Sequence, residues 1–381
     1  MTTRHIRALD GLRGLAILLV IPHNSEELFH AATGVVRLGA IIASAGWIGV
    51  QLFFVLSGFL ITRNLLDSQG ATHYFRVFFA RRILRIFPLY YGTLLVALVI
   101  VPLITAPPRG PVFQHGQIWL WTFLLNWAHP LGASTNGLPH FWSLAVEEQF
   151  YLVWPLIVWH ATPRSLLKVC GAIVVMAVIA RTLLHFYGGS SEMIYEFTVC
   201  RMDALAIGAA AAALLRYPPG AAWLERQQPR LLPIAAVLTI IGAASTKAYT
   251  SDNLTTQIIG QTLLAIIFVL VLLACLTDEG RYNRWLRRVC DTAALRSVGR
   301  YSYGMYVLHF PIFLWLQHYS ATFNQVCGRW APLAFVGTMI VLAYIAGFIS
   351  YHAFEKHFLR LKRWFVPQYS AVGRPALAGS A

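Results

Sequence analysis

Apolar runs long enough to cross a lipid bilayer recur from one end of this sequence to the other. No other feature restricts the fold as much. A bilayer core takes about 20 apolar residues wound as a helix. Ten such runs are expected, at 11–29, 41–63, 86–106, 143–161, 167–187, 198–215, 231–248, 255–277, 301–319 and 332–354. In lipid, backbone polar groups must be satisfied internally, so only helices and closed barrels span. Barrel strands are short and alternating, whereas these runs are long and continuous. The expected fold is therefore all-α, a polytopic membrane helix bundle of about ten transmembrane helices. Residues 1–363 would form this one domain, and the Gly-, Ala- and Pro-rich tail 364–381 reads as a disordered cytoplasmic segment.

Charge refines that picture. Only 12% of residues are Asp, Glu, Lys or Arg, about half the fraction usual in a soluble domain. A net charge of +15 would suggest nucleic acid in a soluble protein. Here the bases gather in loops on one side: Arg76, Arg81, Arg82 and Arg85, then Arg281, Arg284, Arg287, Arg288, Arg296 and Arg300, then Lys356, Arg360, Lys362 and Arg363. The other side carries Arg37, Arg109, Lys247 and Arg329. Both termini are thus expected in the cytoplasm. The basic surface is expected to meet membrane lipids or an anionic substrate, and no nucleic acid. The stretch 117–128, with Trp119, Trp121 and Trp127, is read as a short interfacial or re-entrant helix, since a full span there would alternate the basic loops. The first run lacks a small-residue cleavage site and has charges on both flanks, so it is read as a retained helix. The expected location is the cell (inner or plasma) membrane. The cysteines at 170, 200, 275, 290 and 327 show no close pairing and are read as packing residues, with no metal cluster.

Several residues could carry chemistry. Arg13 and His23 lie roughly 15 Å apart along a helix, about half a bilayer core. With Arg13 at the surface, His23 sits near mid-depth, where an ionisable group is a functional hypothesis. A histidine satisfied by a neighbouring helix carries equal weight. Ser57-Gly58 in the second run reads first as a helix-packing contact and second as substrate lining. Arg81, Arg82 and Arg85 form one basic cluster on a helix. Guanidinium forks suit phosphate, but headgroup anchoring and positive-inside topology explain most such clusters and are the favoured reading from spacing alone. Ser143, Glu147 and Tyr151 recur at i, i+4 spacing and share a face. Glu148 points about 100° away and suits the helix dipole. Arg201 and Asp203 read as a structural pair, with each other or a neighbour. His309 reads equally as packing or catalysis, and Glu355-Lys356 as a surface pair.

Together these segments resemble acyltransferase family 3. The resemblance is carried by Leu9-Asp10-Gly11-Leu12-Arg13-Gly14, Phe53-Phe54-Val55-Leu56-Ser57-Gly58-Phe59-Leu60, Arg81-Arg82-Ile83-Leu84-Arg85-Ile86-Phe87-Pro88, Trp142-Ser143-Leu144-Ala145-Val146-Glu147, Tyr303-Gly304-Met305-Tyr306-Val307-Leu308-His309 and Glu355-Lys356. It implies a membrane O-acyltransferase, with acetyl the expected group and acyl-CoA the donor from the cytoplasm. It implies Arg13 and His23 as the essential pair, with His23 as general base or transient acyl carrier, and Glu147 as the acidic residue of the site. Arg81, Arg82 and Arg85 would bind the donor's phosphates, and Ser143, Tyr151 and His309 would line the substrate site. The acceptor would be a glycan, a lipid-linked sugar or a small hydroxylated molecule.

Two departures from the family matter. Nine residues separate Arg13 from His23, one fewer than usual, which leaves the side chains about 80° apart on a regular helix. The expectation is that Pro22 distorts the helix and returns His23 to the cavity. Larger members append a hydrolase-like domain, absent from this sequence, so delivery straight to an acceptor or through a partner is expected. The competing class is a transporter or flippase of an acyl group or anionic solute, with no covalent chemistry.

Overall fold

The computed structural model describes residues 6–29, 33–34, 36–105, 116–128, 130–133, 137–246, 249–250, 253–277 and 280–369. The elements that matter here are α1 (Arg7–His23), α2 (Val36–Ser44), α3 (Ile48–Asp67), α4 (Tyr74–Leu95), α5 (Trp142–His160), α6 (Pro163–Phe186), α7 (Thr198–Arg216), α8 (Leu231–Ser245), α9 (Gln261–Cys275), α10 (Arg281–Cys290), α11 (Ala293–Gln317) and α12 (Ala331–Ser350). The described residues form no strand, only an isolated bridge between Thr72 and Gln368. The protein is a polytopic helical membrane protein, as its apolar runs require.

Small residues set the centre of the bundle. A Cβ added at Gly58 would stand 1.9 Å from Leu205 O, and one at Gly208 would stand 2.1 Å from Val55 O. The backbones of α3 and α7 therefore touch, as small residues allow between membrane helices. α1 and α11 meet in the same way, through Gly14 against Leu295 O and Gly299 against Asp10 O. α3 and α7 lie mostly inside the protein, whereas α4, α6, α8 and α12 turn most of their surface outward. That outward surface is apolar: Val175, Ile179, Ile240, Val341 and Ile345 are exposed. Apolar faces this extensive need lipid, not water, against them.

Among the described residues, seven helical segments are long and apolar enough to cross a membrane: Ile48–Asp67, Tyr74–Ile104, Pro163–Phe186, Ser191–Arg216, Pro218–Ser245, Thr256–Cys275 and Ser320–Trp364. The other three expected spans are helices too, namely α1, α5 and α11. Boundaries moved where the polar residues lie. The third helix begins at Tyr74, so the arginine cluster is part of the span's own helix. Between the expected spans 255–277 and 301–319 lie α10 and the first turns of α11. The Trp-rich stretch breaks into Gln117–Trp121 and Leu125–Ala128, with Phe123 at φ 55° between them. Neither piece can cross a bilayer. Both are tied down by Tyr90 Oη donating to Leu120 O (2.7 Å), Tyr91 Oη to Trp121 O (3.1 Å) and Gln149 Nε2 to Phe123 O (2.9 Å).

Arg201 and Asp203 do not pair with each other. Asp203 takes Arg181 of α6 at 2.9 Å and the Thr262 hydroxyl at 2.5 Å. Arg201 bonds Gln261 Oε1 at 2.6 Å and sits against the rings of Phe54, Trp142 and Tyr195. The surface reading of Glu355 is corrected. A π-helical turn at Tyr351–Glu355 adds a residue to the turn and rotates Glu355 inward, where it is buried and accepts from Ser350 Oγ at 3.1 Å. Of the expected tail, residues 365–369 lie against α3 and α4: Arg81 Nη1 donates to Phe365 O (3.0 Å), Thr72 N to Gln368 O (2.7 Å), and Tyr369 Oη to Asp67 O. Residues 370–381, Arg4, Arg109 and Lys247 lie outside the described residues.

Candidate active site

A cavity of about 110 Å³ lies between α1, α3, α4, α5 and α11. Its polar wall is built helix by helix. α5 contributes Ser143, Glu147 and Tyr151, the face expected from their i, i+4 spacing. α4 contributes Arg82 and Arg85, α1 contributes Arg13, and α3 contributes Ser57. Ser302, Tyr303 and Tyr306 close it from α11. Val50, Phe54, Leu60 and Ile61 make the rest of the lining apolar.

The polar groups are connected in sequence. Tyr151 Oη donates to Glu147 Oε2 at 3.0 Å, so the Ser57 hydroxyl, in hydrogen-bond contact with Tyr151 Oη, is the donor in that pair. A chain of two hydrogen bonds thus runs from a serine to a carboxylate. The Arg82 guanidinium carbon sits 5.5 Å from the Tyr151 ring centre, and that of Arg85 sits 5.6 Å from the Tyr303 ring centre. Arg13 reaches Asp10 at 3.8 Å, one helical turn back. At the α11 side, Tyr306 Oη donates to His140 O at 2.6 Å and contacts Ser143 Oγ at 2.5 Å. Cations and a carboxylate facing one small apolar-walled space can bind an anion, take a proton and stabilise developing negative charge.

Three expected residues are not in the wall. Arg81 is about 100° from Arg82 around α4 and faces a second, outer groove with Arg82, Asn64 and Ser68. His309 is fully buried one layer back, with Nδ1 on Tyr306 O at 2.5 Å and its ring 4.7 Å from the His140 ring. His23 lies beyond the cavity, half-exposed, with Nδ1 3.1 Å from Ala43 O and 3.7 Å from Glu26 Oε2. The expected correction by Pro22 does not occur. α1 runs as one helix through Pro22 to His23, and Ser25 N bonds Pro22 O at 3.0 Å. His23 is not among the residues that line the cavity. Ser57, Tyr303 and Tyr306 are the wall residues that sequence reasoning left as packing or motif. For Ser57 and Tyr303 the available signal was the neighbouring glycine at a close helix crossing.

Comparison with known proteins adds the following. The model of an acyltransferase domain matches residues 6–352. Peptidoglycan O-acetyltransferase OatA of Listeria monocytogenes is 29% identical over 330 residues, covering 82% of this chain and 50% of that protein. The putative peptidoglycan O-acetyltransferase YrhL of Bacillus subtilis is 29% identical over 371 residues, covering 93% of this chain and 55% of that protein. O-acetyltransferase OatA of Staphylococcus aureus is 26% identical over 337 residues, covering 83% and 52%. The chain spans about half the length of these curated relatives. No solved structure matches it.

Proposed function

The chain belongs to the acyltransferase family whose domain it matches across residues 6–352, and from that premise we propose that it moves an acetyl group from cytoplasmic acyl-CoA to a hydroxyl of a glycan on the outer side of the cell membrane. One observation carries the reading: three guanidinium groups and a hydrogen-bonded carboxylate share the cavity of about 110 Å³. The glycan acceptor is supported by the relatives' names, which specify peptidoglycan for two of them. The basic loops support termini in the cytoplasm, where the donor is made.

In this reading Arg82 and Arg85, with Arg81 at the outer groove, engage the donor's phosphates, as guanidinium forks do. The thin thioester arm then enters the cavity. Glu147, directly or through Tyr151, takes the proton of the attacking hydroxyl. The C–O bond forms, the C–S bond breaks, and the leaving thiolate is protonated by the group that took the proton. Arg13 stabilises the oxyanion between these events. His23 sits about one helical turn outward from the cavity wall at Val50, beside Gly46. It would serve the acceptor side.

The test uses purified protein in detergent, with acetyl-CoA and a glycan acceptor. Acceptor-dependent release of free CoA thiol, with acetyl recovered on the glycan, is expected without any membrane gradient. Transport of an acyl donor with no thiol released would overturn the reading in favour of a carrier.

A further inference from the structure

We propose that Ser57 is a transient acyl carrier, so that transfer proceeds in two half-reactions through an acetyl-Ser57 ester. The inference rests on the acyl-CoA reading above and goes beyond it.

Ser57 lies in the middle of α3, on the cavity wall. A serine within a helix commonly bonds back to the carbonyl four residues earlier. Here the hydroxyl reaches across to Tyr151 Oη, and Tyr151 Oη donates onward to Glu147 Oε2 at 3.0 Å. A nucleophile within hydrogen-bond reach of a base, itself oriented by a third group, is the arrangement that activates a hydroxyl. The neighbouring Gly58 pins α3 against Leu205 O, so the serine is held on a rigid element. Arg13 shares the wall and is available to the oxyanion.

A covalent carrier also suits the small space. At about 110 Å³, the cavity is smaller than the roughly 150 Å³ that admits one benzene ring, so a carrier lets the donor's arm leave before the sugar's reacting edge enters.

In the first half-reaction, Ser57 Oγ attacks the thioester carbonyl. Its proton passes to Tyr151 Oη as the Tyr151 proton passes to Glu147. The Oγ–C bond forms, the C–S bond breaks, and the thiolate takes the proton from Glu147 and leaves as CoA thiol. In the second, the acceptor hydroxyl gives its proton to Glu147 and attacks the ester carbonyl. The C–Oγ bond breaks and Ser57 recovers a proton through Tyr151. The sum is thioester plus alcohol to ester plus thiol.

The test incubates the full chain in detergent with radiolabelled acetyl-CoA and no acceptor, followed by an acid quench. Wild type is expected to hold up to one hydroxylamine-labile acetyl per chain, mapped to the Ser57 peptide, with a matching burst of CoA thiol. Ser57→Ala should lose at least ten-fold of that label while remaining monodisperse. Ser57→Cys should regain it as a thioester. Label on another residue, or undiminished label in Ser57→Ala, overturns the carrier. Acceptor-dependent thiol release by wild type with no label overturns the carrier but leaves the acyltransferase reading intact. Neither label nor thiol release overturns both.

Discussion

Glu147→Gln isolates the proton-accepting step from everything that builds the cavity. The amide is nearly the same size as the carboxylate, and its oxygen can still accept from Tyr151 Oη, which lies 3.0 Å from Glu147 Oε2. Folding and the Ser57–Tyr151 contact should therefore survive. The capacity to take a proton is lost. General-base catalysis is worth about 10²–10⁴ in rate, so kcat for CoA release should fall by that factor, equivalent to about 3–5 kcal/mol. The KM for acetyl-CoA should stay within about three-fold, because binding is assigned to groups the substitution leaves alone. Glu147→Asp makes the complementary cut. It retracts the carboxylate by about 1.5 Å, which stretches the Tyr151 contact beyond hydrogen-bond range, and kcat should fall at least about ten-fold although a base is still present. Stopped-time thiol assays over a range of donor concentrations give both parameters. A Glu147→Gln enzyme retaining a third or more of wild-type kcat would refute the role of this carboxylate.

Other variants separate binding, catalysis and packing. Arg82→Ala and Arg85→Ala should each raise the KM for acetyl-CoA about ten-fold through loss of a charge-assisted contact, with Arg81→Ala much milder because Arg81 is held outside by Phe365 O; steady-state kinetics reads all three. His23→Ala should keep acetyl labelling of the enzyme from radiolabelled donor while transfer to a glycan falls, since His23 lies beyond the cavity. Arg181→Ala should cost about 3–5 kcal/mol by stranding buried Asp203, whereas Arg181→Met with Asp203→Leu should recover much of it, both seen in thermal unfolding in detergent. Gly208→Val should lower the yield of monodisperse protein, because even its Cβ would stand 2.1 Å from Val55 O.

How much of this the sequence revealed depended on whether one helix sufficed to define the feature. Ser143, Glu147 and Tyr151 sit on one helix at regular spacing, so their common face was legible and all three line the cavity. Arg82 and Arg85 were legible for the same reason. Ser57 was not. Among small and apolar neighbours it looks like packing, and only the approach of α5 across the cavity gives its hydroxyl a partner. The glycine beside it does the packing that both residues had been credited with. The place of His23 outside the cavity wall was not legible, because it depends on how α1 packs against α2, whose Ala43 O lies 3.1 Å from His23 Nδ1. Glu355 was misjudged because the π-turn that rotates it inward has no plain sequence signature. His309 is set behind Tyr306 by the tertiary packing of α11 on the Pro139–Phe141 turn, a contact between segments more than 160 residues apart.

The three expected spans that fail a simple length-and-apolarity test are informative for that very failure. α1, α5 and α11 carry Arg13, Ser143, Glu147, Tyr151, Ser302, Tyr303 and Tyr306, which make up most of the polar cavity wall. Each of those side chains lowers hydropathy, and none could face lipid without cost. They are sheltered because the helices that turn mostly outward, α4, α6, α8 and α12, present apolar surface instead. α4 does both, with Arg82 and Arg85 turned inward and exposed Val96, Ile100 and Leu103 on or beyond its far end. A polar chamber inside a membrane protein thus requires a division of labour. Helices poor in apolar residues build the site, and strongly apolar ones keep lipid away from it.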